Sequence, residues 1–127
     1  MPITLEHVNM TVPDNAKTAA WMQDVFGWHI RWQGDGMGGA GSTIHVGTDT
    51  SYIALYSPNG DTQPTVDTYH TSAGLNHVAL VVDDLDAAED RVKAAGFTPQ
   101  SHADYEPGRR FYFYDDDGLE FELVQYD

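Results

Sequence analysis

The chain has 127 residues and a mass of 14.1 kDa, a size at which about two-thirds of the unfolded surface is buried on folding. Hydrophobic residues make up 41% of it, which is a globular rather than a disordered composition. Twenty Asp and Glu against six Lys and Arg give a formal net charge of −14, which repels phosphate backbones and anionic lipid, so neither nucleic acid nor a membrane is expected as a partner.

Cysteine is absent. Disulfides, thiolate nucleophiles and Cys-based zinc or iron–sulfur sites are thereby excluded, and any metal must sit on His and carboxylates. Met1-Pro2 leads into a strand-like run with no basic and apolar leader, so a cytoplasmic location is expected. The acidic excess reads first as a solubilising surface, with a salt-adapted surface or a cationic ligand as alternatives.

In chain order, residues 4–12 alternate, with Val8, Met10 and Val12 on one face and Leu5, His7 and Asn9 on the other, which predicts a half-buried strand. Pro13-Asp14-Asn15 is a helix entry signal, and a helix follows from Asn15 to Phe26, with Ala19, Met22 and Phe26 at helical spacing and a stop at Gly27. Strands are predicted at about residues 28–33, 42–47 and 51–57. The glycine-dense run 34–41 lies between two strands, not between a strand and a helix, and reads as a mobile loop rather than a phosphate cradle. Residues 58–73, rich in Pro, Thr, Asp and Gly, read as a linker.

The pattern then repeats. Residues 75–82 reproduce the first strand, with Val78, Leu80 and Val82 in the places of Val8, Met10 and Val12, and His77 stands seventy residues after His7. Asp83-Asp84 opens a second helix, about residues 85–95, with Leu85, Ala88 and Val92 inward and a stop at Gly96. Strands are predicted near 97–103, 109–115 and 119–126. Each half reads βαβββ: module one over 1–57, the linker 58–73, and module two over 74–127 of one structural domain.

A strand carrying His, a helix ending at Gly, three strands and the same again, closing on Asp115-Asp116-Asp117-Gly118-Leu119-Glu120-Phe121-Glu122-Leu123, resembles the vicinal oxygen chelate superfamily of glyoxalases, bleomycin resistance proteins and extradiol dioxygenases. The resemblance covers nearly the whole chain. It implies an α+β fold in which two tandem βαβββ modules form a cup-shaped, partly open β-barrel with helices outside. It implies a divalent metal on His7, His77 and Glu122, and it places the family's fourth ligand at Ala54, which cannot ligate. It also implies a homodimer, with the metal site made within one chain or across two.

Two imidazoles and one carboxylate suit a borderline divalent ion and leave cis positions open for a bidentate substrate, or for water and dioxygen. Zn, Mn, Fe(II), Ni and Co all fit. Glu120, on the same strand face as Glu122, and Tyr56 are candidate catalytic residues. Asn9, Tyr52, Tyr112 and Arg110 are candidate substrate-binding residues, Arg31 and Arg109 being the other arginines placed to meet an anion. His29, His45, His70 and His102 read as ordinary satisfied or solvent-facing histidines.

The reading is a small metalloenzyme of lyase, isomerase or dioxygenase type that binds a small substrate through adjacent oxygens. Without a carboxylate at Ala54 the glyoxalase I reaction lacks the base that the resemblance would supply. The alternative is a binding protein that sequesters a cationic drug or metabolite without turnover, which the net charge favours and the retained His and Glu set does not.

Overall fold

The computed structural model describes residues 1–127, the side chain of Met37 excepted. The chain divides into two compact units, Met1–Gln63 and Pro64–Asp127. Each is an α+β module with one helix on a four-stranded mixed sheet.

In the first unit β1 (His7–Thr11), α1 (Asn15–Phe26), β2 (His29–Asp35), β3 (Ser42–Gly47) and β4 (Tyr52–Ser57) form a sheet of order β1-β4-β3-β2. β1 and β4 run parallel, and the other neighbours are antiparallel. Alternation sends Met10, Ile44, Val46, Ile53 and Leu55 to the helix side, where they are buried with Ala19, Met22 and Val25. The helix starts where the Asp14 carboxylate accepts from Lys17 N at 3.1 Å and stops at Gly27 in the left-handed region, whose N–H donates to Gln23 O.

Asn15 pins that helix start to the sheet. Its Nδ2 donates to Ser42 Oγ at 3.0 Å and to the Ser42 and Leu55 carbonyls at 3.2 Å. Its backbone N–H donates to Ser57 Oγ, which donates in turn to Val12 O at 2.7 Å.

In the second unit β5 (Val78–Val81), α2 (Leu85–Ala94), β6 (Gln100–Tyr105), β7 (Gly108–Tyr114) and β8 (Glu120–Tyr126) repeat the order as β5-β8-β7-β6. Leu85, Ala88 and Val92 of the helix are buried, as are Phe111, Phe113, Phe121 and Leu123 of the sheet. Phe113 stacks between Phe97 and Phe121, with ring centres 5.4 Å away on each side. The repeat reaches the hydrogen bonds: Gln125 Oε1 accepts from the first helical N–H at Leu85, as Ser57 Oγ does from Asn15. The turn into β8 is held by Asp115 Oδ1, which accepts from Asp117 N and Leu119 N at 2.9 Å each.

Several boundaries differ from the expectation. β1 and β5 are shorter than residues 4–12 and 75–82, because only the stretches that pair with β4 and β8 hold ladder bonds; Leu5 and Leu75 are exposed. β6 begins at Gln100, after Pro99, rather than at 97. Val25, not Phe26, completes the buried stripe of α1, and Phe26 packs instead on Trp21 and Trp28. The glycine run is not a free loop: β2 continues to Asp35, a 3-10 turn occupies Met37–Gly39, and Gly36 N donates to Gly41 O. The linker stretch holds a 3-10 turn of its own at Thr68–His70.

Candidate functional site

In β8, Phe121 and Leu123 point to the α2 side, so Glu120 and Glu122 point to the opposite face. β5 places Ala79 opposite Glu122, and His77, just before it, brings Nε2 to 3.1 Å from Glu122 Oε1. From the other flank Arg110 Nη1 donates to Glu122 Oε2 at 2.9 Å. Glu122 and Arg110 are both largely shielded, with 8% and 13% of their side chains exposed. The guanidinium lies over the Tyr105 ring, 4.6 Å from its centre, and its Nε and Nη2 are buried without a partner.

Two further layers surround this pair. Tyr112, directly opposite Glu122 in the ladder, sets its ring edge-on to His77, with centres 5.5 Å apart and planes at 87°. Burial, and then the Glu122 charge, pushes the Tyr112 phenol up from its ordinary value. Tyr69, from the 3-10 turn, donates to Glu120 Oε1 at 2.7 Å, and its oxygen lies 3.3 Å from His77 Nδ1. The bond to Glu120 leads the causes that push the Tyr69 phenol up to about 12, because an ionised phenol there would face a carboxylate.

The matching face of the first unit is built differently. The ladders pair Asn9 with Ala54 and Ala79 with Glu122, so Ala54 holds the position that Glu122 holds in the second unit. In place of the missing carboxylate stands an aromatic group. His7 stacks on Tyr52 at 4.8 Å between centres, and His45 stacks on the same ring at 4.6 Å. Trp32 leans on His45 at 5.0 Å, and the Arg31 guanidinium sits 4.3 Å above Tyr52. Glu6 Oε1 meets His7 Nδ1 at 2.8 Å and accepts from the Tyr52 hydroxyl at 3.2 Å. Burial pushes the His45 imidazole down from its ordinary value, and the charges of His7 and Arg31 push it the same way.

Residues 4–123 match the family described as Glyoxalase/Bleomycin resistance protein/Dioxygenase superfamily. The chain belongs to that superfamily. No curated protein matches it. Among solved structures, the glyoxylase/bleomycin resistance protein/dioxygenase domain from Frankia sp. EAN1pec is similar over 100% of both chains, with a TM-score of 0.84 and 24% identity. The fosfomycin resistance protein FosX from Listeria monocytogenes, in a complex with Mn(II) and sulfate, is similar over 100% of this chain and 93% of that one, with a TM-score of 0.73 and 23% identity. FosX from Mesorhizobium loti has a TM-score of 0.70 at 24% identity over 98% of this chain and 92% of that one. At these identities the structural likeness speaks for the fold.

Of the residues expected to share the superfamily's metal, His77 and Glu122 lie side by side in the second unit, and His7 belongs to the first. Among the described residues no three His, Asp or Glu side chains are gathered as a ready metal cluster. Glu120 faces Tyr69. Tyr56 lies against Gly36 and Gly41, where an added Cβ would come within 2.9 Å and 3.0 Å of its ring. Asn9 is exposed beside Ala54, and Arg109 is turned to the helix side, bonded to Asp86 at 3.3 Å. His29, His70 and His102 each pair with a carboxylate, Asp49, Asp67 and Glu89.

Two residues were missed. His45 alternates with buried Ile44 and Val46, a signal that places it on the His7 face. Tyr69 sits in the stretch read as linker, and nothing in its spacing pointed to His77. No helix is long and apolar enough to cross a membrane among the described residues.

Proposed function

We propose that the protein is a metal-dependent enzyme of its superfamily that takes a small substrate with adjacent oxygens, His77 and Glu122 supplying two ligands and His7, of this chain or of a second copy, the third. The observation that carries the reading is the 3.1 Å separation of His77 Nε2 and Glu122 Oε1. Two cis ligands on one ion, each about 2.0–2.2 Å from it, lie roughly 2.8–3.1 Å apart at a right angle, so the pair already has the bite of a chelate. Mn(II) in complexes of FosX, one with sulfate and one with 1S,2S-dihydroxypropylphosphonic acid, supports a hard divalent ion and an oxygen-rich ligand here. When bound, such an ion acts as a Lewis acid toward substrate oxygens.

The chain's own groups define the rest of the reading. Arg110 holds Glu122 Oε2, which leaves Oε1 toward His77. Its remaining donors, Nε and Nη2, lack a partner and suit an oxyanion on the substrate once the side chain turns. Tyr112, kept protonated, is a hydrogen-bond donor beside the same carboxylate. A homodimer is part of the proposal, supported by Ile3 and Leu5, which are 100% and 84% exposed beside the edge strand β1, and a cytoplasmic location is proposed with it.

Metal analysis and calorimetry test it. Wild-type protein should bind one Mn(II) or Zn(II) per chain, and His77→Ala should lose it. Wild-type protein that takes up neither ion at millimolar concentration refutes the reading.

A further inference from the structure

We propose that Glu120, flanked by the rings of Tyr69 and Tyr114, receives a positively charged nitrogen, so that the substrate of this site carries an ammonium group beside its adjacent oxygens. The inference deepens the metal reading, on which the placing of those oxygens rests. The cation site itself stands without a metal.

Glu120 and Glu122 share one face of β8 and are two residues apart, which is about 7 Å along a strand. Their surroundings differ. Glu122 has a cationic partner in Arg110, whereas no Lys or Arg among the described residues forms an ion pair with the half-buried Glu120. Phenols surround it instead. Tyr69 donates to its Oε1 at 2.7 Å, and Tyr114 stands directly opposite it in the β7–β8 ladder, a pairing that brings Cβ atoms within about 4.5–5.5 Å on one face. Both tyrosines remain open to solvent, 55% and 46% exposed.

A carboxylate that meets only neutral donors keeps its whole charge, and partial burial strengthens its pull on a cation that docks beside it. Aromatic faces attract the same cation. Burial, then the Glu120 charge, pushes the Tyr114 phenol up, and the Tyr69 phenol is pushed up to about 12, so both rings stay un-ionised and their hydroxyls remain donors. A net charge of −14 favours cations over anions around the chain as a whole. The face is also polar in one direction, since Arg110 stands opposite Val124 and Glu120 lies four residues toward the start of β8. A substrate is thereby oriented, its ammonium toward Glu120.

The test titrates full-length, chelator-treated protein with choline and with dimethylbutanol, the carbon isostere that lacks the charge, and follows binding by NMR and calorimetry. Wild-type protein should bind choline about 10-fold more tightly than the isostere, and added salt should narrow the difference. Glu120→Gln should erase the preference. Tyr114→Leu should weaken choline binding about 3–10-fold while Tyr114→Phe, which keeps the ring, retains most of it; a merely structural role for the side chain would not separate these two variants by ligand charge. Equal binding of choline and its isostere, no choline binding at tens of millimolar, or a preference that survives Glu120→Gln overturns the proposal. Choline binding in a protein that takes up no Mn(II) supports the cation site and refutes the metal reading, and Mn(II) uptake without choline binding does the reverse.

Discussion

Removing Arg110 probes the site through folding stability, with no substrate required. In Arg110→Met the flexible thioether fills much of the stem's space over Tyr105, but Glu122 loses the donor at 2.9 Å that neutralises its Oε2. With 8% of that side chain exposed, water compensates poorly. Breaking a buried ion pair by deleting one partner costs about 3–5 kcal/mol. The two orphaned nitrogens of Arg110 disappear in the variant, which relieves part of the cost and sets the expectation near the lower end, about 3 kcal/mol.

Urea unfolding in the presence of a chelator reads this directly. The paired variant Arg110→Met with Glu122→Leu should recover most of the loss, because an apolar pair leaves no buried charge uncompensated. Adding Mn(II) at about 100 times its dissociation constant stabilises a folded state by about 2.7 kcal/mol. At a fixed Mn(II) concentration the gain should be larger in Arg110→Met than in wild type, since the metal is then the main cation at Glu122. A loss below about 1 kcal/mol in the chelated single variant, or no recovery in the double, would refute the claim that this pair is a shielded charge partnership.

Two further outcomes follow from the same structure. Asn15→Ala removes three side-chain hydrogen bonds that tie the start of α1 to Ser42 and Leu55, and should cost about 2 kcal/mol in chemical denaturation. Burial raises the Asp115 carboxyl above its ordinary value, so the folded state holds this proton more tightly than the unfolded state does. That contribution is present at low pH and is lost as pH rises from the unfolded value through the raised folded one, after which it is flat. Asp115→Asn, which keeps an acceptor for Asp117 N and Leu119 N, should lack this decline. Melting curves across pH 3 to 8, a span of about five units around the carboxylate range, should show the variant gaining on wild type as pH rises; parallel curves would refute it.

The sequence alone determined the module, its duplication and the faces of its strands. These are local properties: an alternation of period two in residues 7–12 and 78–82 decides which side chains meet the helix, and Asp14, Asp84, Gly27 and Gly96 bound the helices through their own backbone and caps. The gap at Ala54 was legible only through the family resemblance, and the strand registers then place Ala54 where the second unit has Glu122. What surrounds each face was settled only by the tertiary structure.

Arg110 meets Glu122 because the β7–β8 register puts it opposite Val124, on Glu122's face and two residues from the Tyr112–Glu122 pair. Tyr69 reaches His77 and Glu120 from a segment with no periodicity at all, across separations of 8 and 51 residues. Hydrophobic pattern fixes which way a strand side chain points, since burying the wrong face is costly. It carries no information on which polar groups from elsewhere satisfy the face that remains, because that depends on register and chain path, and there lie the partners that govern His77 and Glu122.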